Sequence, residues 1–150
     1  MKELKVTPIK DGTVIDHITP GRALQVLHVL KIPQSTTAVV SILMNVNGKK
    51  GKKDIVKIEN RELDPKEVNK IALIAPKATI NIIRDYEVVK KHTVELPKEV
   101  IGLTKCSNPT CISNAREPVE SKFLVISKDP VRIRCYFCER EPEDIAAGII

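Results

Sequence analysis

Hydrophobic and polar positions along the first 95 residues alternate between a two-residue spacing and a three- to four-residue spacing. The two-residue spacing, rich in β-branched side chains, predicts strands at residues 4–6, 13–18, 37–46, 54–58, 79–84 and 86–91. The longer spacing predicts helices over residues 20–32 and 65–74. Apart from the short first segment and the last strand, the order of elements is β-α-β-β-α-β. This order is that of a ferredoxin-like sheet with both helices on one face.

Both predicted helices begin with residues that favour a helix start. Thr19 can cap the first helix, and Pro20 fits its first turn. The second helix has a stronger signal, because Asp64 is followed by Pro65 at the first helical position and by Glu67 three residues after the cap. Reciprocal hydrogen bonds between Asp64 and Glu67 satisfy backbone N–H groups that a helix leaves unpaired. We therefore expect the second helix to begin at Pro65.

The chain changes character near Pro97. Residues 1–100 contain 18 basic and 12 acidic side chains, whereas residues 101–150 contain seven of each and all four cysteines. The net charge of +6 therefore belongs to the first part of the chain. We predict an α+β chain with two domains, a ferredoxin-like domain of residues 1–96 and a small all-β domain of residues 97–150.

The cysteines of the second domain have the spacing of a metal site. They form two close pairs, with four residues inside the first pair, 23 between the pairs and two inside the second. Such pairs on two turns can surround one Zn²⁺ with four thiolates, as in a zinc ribbon, and a complete shell leaves no position for a substrate. Free thiols, disulfides or a redox pair are the alternatives. The expected zinc ligands are Cys106, Cys111, Cys135 and Cys138.

Composition narrows the class of protein. The 150 residues are 42% hydrophobic, and no stretch reaches the roughly 18 to 20 apolar residues of a membrane span. The N-terminus lacks the apolar run of a secretory signal, so we expect a cytoplasmic protein with no membrane partner. In a reducing cytoplasm, close cysteine pairs favour a structural metal over disulfides.

Nucleic-acid binding is an alternative function that the charge suggests. The pI is about 9.2, and lysines cluster at residues 49–53. However, the positive charge lies outside the cysteine-containing domain, and aromatic residues, on which bases stack, make up only 3% of the chain. We therefore expect no nucleic-acid partner.

Side chains arranged for catalysis are sparse. Asp16 and His17 could form an acid-base pair, but neighbouring side chains on a strand point to opposite faces. Lys57, Lys90 and Lys91 on predicted strands instead offer cations to an anionic ligand. We expect a binding protein, since a closed thiolate shell also argues against a stand-alone zinc enzyme.

Four segments, followed by the cysteine pairs, resemble a known family. The segments are GTVIDHI at residues 12–18, KDIVKIEN at 53–60, APKATIN at 75–81 and YEVV at 86–89. Their order and the cysteine pattern resemble the regulatory chain of aspartate carbamoyltransferase, from about residue 6 to about residue 140. The resemblance implies a non-catalytic subunit in pyrimidine biosynthesis, with an allosteric nucleotide-binding domain followed by a zinc domain that contacts the catalytic chain.

The resemblance also implies which residues bind the effector. Tyr86 and aliphatic side chains can pack around a base, Asp16 can accept hydrogen bonds from ribose hydroxyls, and His17 and Lys91 can bind phosphates. Lys53 is a further candidate, for a second nucleotide or for metal-bridged phosphates. The implied effector-site residues are Ile9, Val14, Asp16, His17, Lys57, Asn81, Ile83, Tyr86, Val88 and Lys91.

The implied partners are catalytic trimers of aspartate carbamoyltransferase, a second regulatory chain, and the effectors CTP and ATP, with UTP as a further candidate. The apolar strand at residues 37–46 is expected to form the contact in the homodimer, since an exposed edge of that composition would otherwise aggregate. Effector binding is expected to act through a hinge near Leu96 and Pro97 on the zinc domain, and thereby on the aspartate affinity of the catalytic trimers.

Overall fold

The computed structural model describes residues 9–115 and 119–150. Its strands are β1 (Gly12–Ile18), β2 (Val40–Gly48), β3 (Gly51–Glu59), β4 (Thr79–Arg84), β5 (Glu87–Thr93), β6 (Glu99–Ile101), β7 (Lys122–Lys128) and β8 (Val131–Cys135). Its helices are α1 (Ala23–Val29), α2 (Pro65–Ile74) and the one-turn α3 (Ile145–Gly148), with a 3₁₀ turn at Ile112–Asn114. The chain is therefore a mixed α+β protein, as predicted. The strand predicted at residues 4–6 lies outside the described residues.

The first five strands form one antiparallel sheet in the order β2-β3-β1-β4-β5. Ile15 of β1 lies between Val56 of β3 and Ile80 of β4, and all three side chains are buried. Neighbouring residues such as Val14 are only half-buried, because side chains along a strand alternate between the two faces. One face of the sheet is therefore part of the core, and the other faces solvent.

The two longer helices cover the core face of this sheet. Buried side chains of α1, among them Val26, and of α2, among them Ile71, join Ile15 in one apolar cluster. Asp64 accepts a hydrogen bond from the backbone N–H of Glu67 at 2.9 Å, and Glu67 accepts one from the backbone N–H of Asp64 at 3.2 Å. This capping box confirms the predicted start of α2. Among the helices of the described ranges, none is long and apolar enough to cross a bilayer.

The start of α1 differs from the prediction. Pro20 belongs to a turn in which the backbone N–H of Arg22 donates to the carbonyl of Thr19 at 3.0 Å, and Gly21 has a φ of 88°. Proline followed by glycine is typical of a type II turn, because the second central residue of that turn needs a positive φ. Thr19 is therefore not a helix cap, and α1 begins only at Ala23.

The connection between β4 and β5 also differs, because Tyr86 is not part of a strand. Asp85 and Tyr86 form a two-residue turn with φ values of 51° and 66°, as is typical of the tight hairpin turns that match strand twist. The backbone N–H of Asp85 donates to Oδ1 of Asp11 at 3.1 Å, and that of Tyr86 donates to the carbonyl of Lys10 at 2.8 Å. These two bonds fix the turn against the segment before β1.

The rest of the chain forms a smaller unit on the antiparallel sheet β6-β7-β8. Phe123 of β7 and Ile133 of β8 are buried in it. The prediction of an all-β second part is incomplete, because α3 adds a helical turn. After α3, the backbone N–H of Ile150 donates to the carbonyl of Leu103 at 2.9 Å, and Lys70 of α2 donates to the carbonyl of Ile150. Ile150 therefore contacts both the small unit and α2.

We expect a Gly12→Ala substitution to destabilise the chain by about 3 kcal/mol, as in overpacked cores. Gly12 has a φ of 142°, and a Cβ at this position would lie 2.1 Å from the carbonyl oxygen of Ile58. The matched control is Gly21→Ala, where φ is 88° but no atom lies within 4 Å of the added Cβ. The control carries only backbone strain of about 1 kcal/mol. Urea unfolding curves measure both values, and equal losses would contradict the steric explanation.

Candidate ligand-binding face and metal centre

A row of four residues crosses the solvent-facing side of the five-stranded sheet. Lys57 of β3 lies opposite Val14 of β1, Val14 lies opposite Asn81 of β4, and Asn81 lies opposite Lys91 of β5. The side-chain amide of Asn81 donates to the carbonyl of Val14 at 3.2 Å, which fixes the orientation of the amide. Two cationic residues therefore flank a central valine and asparagine, and all four are among the predicted effector-site residues.

Asp16 and His17 lie beside this row on the same side of the sheet, so the expectation that they point to opposite faces is wrong. The register between β1 and β3 shifts between Ile15 and Ile18, and His17 has a φ of 57°. Such a β-bulge inserts one extra residue, so that both Asp16 and His17 lie between the two buried isoleucines. Nδ1 of His17 is 3.1 Å from Oγ1 of Thr79 and 3.9 Å from Oδ1 of Asp16.

Lys53 is held against the carboxylate of Asp16. Its Nζ is 3.0 Å from Oδ1 and 3.2 Å from Oδ2 of Asp16, and Oδ1 also accepts the backbone N–H of His17 at 2.6 Å. The two charged side chains are 21% and 24% exposed, so water screens them only partly. No local pattern in the sequence predicts this pair, because it depends on the bulge that turns Asp16 and His17 to one side.

The apolar end of the same face lies at the turn after β4. Ile83 of β4 is opposite Val88 of β5, and Ile9 precedes the residue whose carbonyl accepts the N–H of Tyr86. Ile9 and Ile83 are buried, whereas Tyr86 is 65% exposed and Val88 is 56% exposed. An exposed aromatic ring beside buried aliphatic side chains provides a surface on which a planar ring can pack.

The face therefore combines cationic, polar and apolar groups. Lys57, Lys91 and the imidazole of His17 can bind an anion, and Asp16 can accept hydrogen bonds from hydroxyl groups. Tyr86 adds an exposed aromatic ring at the turn after β4, at the other end of that strand from the Asp16 and His17 bulge. This combination suits a ligand that has both an anionic group and a planar ring.

The second site is a cluster of the four cysteine sulfurs, which lie within 4.8 Å of one another. The Sγ atoms of Cys106 and Cys138 are 3.5 Å apart, and those of Cys111 and Cys135 are 3.7 Å apart. A disulfide needs a separation of about 2.05 Å, so neither pair is bonded. Sulfurs placed about 2.3 Å from a tetrahedral Zn²⁺ are about 3.8 Å apart, which is close to both observed separations. The four thiols therefore fit one zinc ion.

The surroundings of the sulfurs change how readily each thiol ionises. Burial raises the pKa of the Cys106 thiol to about 12 and also raises the pKa of Cys135. Burial opposes ionisation of Cys138 as well, but hydrogen bonds from the backbone of Arg140 and from neighbouring side chains lower its pKa to about 7. For Cys111, burial is likewise outweighed by hydrogen bonds from Ser113, so its pKa is lowered. A divalent cation among the four sulfurs favours the thiolate form of each.

Hydrogen bonds also shape the loops that carry the sulfurs. The side-chain amide of Asn114 donates to the carbonyl of Cys106 at 3.0 Å and to that of Asn108 at 2.7 Å. On the other loop, the backbone N–H of Cys135 donates to the carbonyl of Arg140 at 2.9 Å. The sulfurs are thus positioned by backbone contacts that the spacing of the cysteines alone does not reveal.

Two family models match successive parts of the chain. A model described as aspartate carbamoyltransferase regulatory chain, allosteric domain, matches residues 4–95. A model described as aspartate carbamoyltransferase regulatory chain, metal binding domain, matches residues 98–146. The molecule is therefore an allosteric regulatory protein with a metal-binding domain, and neither matched domain is catalytic.

Individual relatives agree with this class. The chain is 59% identical over 140 residues to the aspartate carbamoyltransferase regulatory chain of Methanothrix thermoacetophila. The aligned region covers 93% of this chain and 91% of the relative. It is 54% identical over 153 aligned positions to the aspartate carbamoyltransferase regulatory chain of Pyrococcus abyssi. That alignment covers 99% of this chain and 100% of the relative. The chain belongs to the family of aspartate carbamoyltransferase regulatory chains. This result confirms the resemblance drawn from the four segments and the cysteine pattern.

The family match and the sulfur cluster together indicate one structural metal ion, consistent with zinc in this family. A shell of four thiolates is complete and leaves no open position for a substrate or a reactive water. The metal therefore supplies folding energy rather than chemistry, and zinc-coupled folding contributes an apparent ~10 to 16 kcal/mol at neutral pH.

We expect a Cys111→Ser variant to purify with less than about one tenth of the metal bound by the unaltered chain, because the shell loses one of its thiolates. The matched control is Ser107→Ala, beside Cys106, at an exposed position. The control should keep its metal. Elemental analysis of the purified chains measures both, and full metal content in Cys111→Ser would contradict the assignment of the sulfur cluster.

Proposed function

We propose that this chain is the regulatory subunit of an aspartate carbamoyltransferase complex, and that it binds CTP and ATP on the solvent-facing side of its five-stranded sheet. The observation that carries the proposal is the presence of Lys57, Lys91 and His17 on one face of the sheet, with the exposed Tyr86 at the turn between β4 and β5. A nucleoside triphosphate has an anionic chain, a sugar with hydroxyl groups and a planar base. The face offers a complementary group for each part.

Each part of the nucleotide has its own contacts in this proposal. Lys91 and His17 bind the phosphates, with Lys57 close to the ribose and the α-phosphate, and Asp16 accepts hydrogen bonds from ribose hydroxyls. Backbone groups beside Ile9 and Ile83 read the edge of the base, which allows one pocket to accept a purine or a pyrimidine. The base itself packs among Ile9, Val14, Asn81, Ile83, Tyr86 and Val88.

The ion pair between Lys53 and Asp16 supports this arrangement. Paired at 3.0 Å, Lys53 offsets the negative charge of Asp16, which would otherwise repel the phosphates. The same ammonium group lies at the border of the face and is our candidate for contact with a second nucleotide. UTP is a further candidate effector.

We infer two domains, residues 1–96 and 97–150. The order β2-β3-β1-β4, antiparallel throughout and covered on one face by α1 and α2, supports a ferredoxin-like plan to which β5 adds an edge strand. The three-stranded sheet beside the sulfur cluster supports a zinc ribbon for the second domain. Its proposed zinc ligands are Cys106, Cys111, Cys135 and Cys138.

The zinc domain is the proposed contact with the catalytic chain. It exposes large apolar side chains, among them Ile112, Tyr136 and Phe137, close in sequence to the cysteines. Exposed apolar groups concentrated on a small domain are typical of an interaction surface. Removal of the metal should therefore abolish assembly, because the loops that carry these side chains depend on the sulfur cluster.

The β2 edge is the proposed contact between two regulatory chains. β2 is an edge strand of the five-stranded sheet, and Val39, Ile42 and Met44 at this edge are exposed. An unpaired apolar edge strand is a template for pairing with a second copy. Such dimers would link two catalytic trimers within the complex.

Effector binding then changes the affinity of the catalytic trimers for aspartate through the hinge near Leu96 and Pro97. A coupling free energy of ~1 to 3 kcal/mol between sites changes affinity by about 5- to 150-fold. The coupling is reciprocal, so a substrate analogue bound to the trimers must change CTP affinity by the same factor.

We expect a Lys91→Ala variant to bind CTP about 10- to 100-fold more weakly, because it loses a charge-assisted hydrogen bond to phosphate. Calorimetric titration of the metal-loaded chain measures this affinity. The unaltered chain should bind about one CTP per chain, and saturating ATP should displace it.

The matched control for this experiment is Lys90→Ala. Lys90 is the preceding residue of β5 and lies opposite Ile82, so its side chain is on the other face of the sheet. The control removes the same charge from the same strand and should leave CTP affinity within about twofold of the unaltered chain. Equal weakening by both substitutions would mean that net charge, and not this face, governs binding.

A further inference from the structure

Asp54 of β3 is a fully buried carboxylate. No lysine, arginine or histidine of the described residues forms an ion pair with it. Three backbone N–H groups bind it instead. Oδ2 accepts hydrogen bonds from Gly21 at 2.9 Å and from Ala23 at 3.2 Å, while Oδ1 accepts one from Asn45 at 2.8 Å. The two oxygens of one side chain are thus divided between two elements, the start of α1 and strand β2.

Three irregular backbone segments meet at this carboxylate. Gly21 is in the type II turn before α1, and α1 has no capping side chain of its own. Asn45 has a φ of 59° at the point where the register between β2 and β3 shifts. Ile18, directly opposite Asp54, ends the bulge that contains Asp16 and His17. Each irregularity interrupts the regular hydrogen bonding of the backbone. At the turn before α1 and at Asn45, Asp54 accepts the hydrogen bonds of the N–H groups that would otherwise be unpaired.

Asp54 also lies between the two surfaces on which the proposed function depends. The preceding residue, Lys53, holds Asp16 on the ligand-binding face. Asn45, which donates to Oδ1 of Asp54, is the residue after Met44 on the β2 edge. A small movement of either surface therefore acts on the same buried carboxylate, which is hydrogen-bonded to both elements at once.

The geometry points to Asp54 as the positioning residue that couples the ligand-binding face to the β2 edge. This inference rests on the proposed function, in which CTP binds that face. Nucleotide binding at the Asp16 and His17 bulge tightens the bonds from Gly21 and Ala23 to Oδ2, and the bond from Asn45 to Oδ1 tightens with them. Asp54 itself does not touch the nucleotide.

An asparagine at position 54 separates the two connections. Its side chain has nearly the same shape but only one acceptor oxygen, and its NH₂ group would face a backbone N–H that needs an acceptor. The variant can therefore satisfy α1 or β2, but not both. The variant therefore loses the hydrogen bond to one of the two elements, while the volume of the side chain is almost unchanged.

The test combines calorimetry with amide hydrogen exchange followed by NMR on the full metal-loaded chain. In the unaltered chain, CTP should slow exchange of the Gly21, Ala23 and Asn45 amides together, by at least about fivefold. In Asp54→Asn, CTP should bind about tenfold more weakly, and the Asn45 amide should no longer respond. A joint response of the Gly21, Ala23 and Asn45 amides in the unaltered chain is the readout that a purely structural role of Asp54 would not produce, because Asn45 lies outside the ligand-binding face.

The matched control is Asp64→Asn, which makes the same change at the aspartate that caps α2. Asparagine is also a good cap, so this variant should keep both the CTP affinity and the Asn45 response of the unaltered chain. If Asp54→Asn does not fold, the measurement on the unaltered chain is sufficient. Hydrogen exchange at the Asn45 amide that is unchanged by bound CTP would overturn the inference. Absence of CTP binding to the unaltered chain would instead overturn the proposed nucleotide site, and this inference with it.

Discussion

The two longer helices cover only one face of the five-stranded sheet, and the position of the proposed binding site follows from this asymmetry. Side chains of β1, β3 and β4 alternate between the faces, so Ile15, Val56 and Ile80 are buried while Val14 and Asn81 are not. Charged groups are costly to bury without partners, and Asp54 on the core face is held by three backbone N–H groups. The lysines of β3 and β5 that take part in the proposed site are consequently gathered on the open face, where an anionic ligand can reach them.

The second domain solves a different physical problem. Its three short strands bury few large side chains, chiefly Val100, Phe123 and Ile133. So small a core rarely supplies enough stability, and a structural metal is one of the usual remedies. The sulfur cluster with its metal therefore stabilises this domain, whereas the helix-covered face of the sheet stabilises the first. The contact of Ile150 with Leu103 and with Lys70 of α2 then joins the two structures.

Local signals in the sequence predicted most of the elements but not the irregular backbone that forms the site. The start of α2 was predictable because Asp64 and Glu67 form a capping box within four residues. The cysteine spacing likewise predicted a sulfur cluster. The bulge at Asp16 and His17 was not predictable, because it arises from the pairing of β1 with a strand more than 30 residues away. The strand assignment of Tyr86 failed for a related reason, since the N–H groups of its turn donate hydrogen bonds to Lys10 and Asp11, outside the hairpin.

The central claim is that nucleotide bound by this chain regulates a separate catalytic chain. The most direct measurement is the aspartate saturation curve of the complex reconstituted from this chain and catalytic trimers, with and without saturating CTP. A coupling of ~1 to 3 kcal/mol predicts that CTP shifts the half-saturating aspartate concentration by about fivefold or more. An unchanged curve, in a complex to which CTP demonstrably binds, would contradict the account.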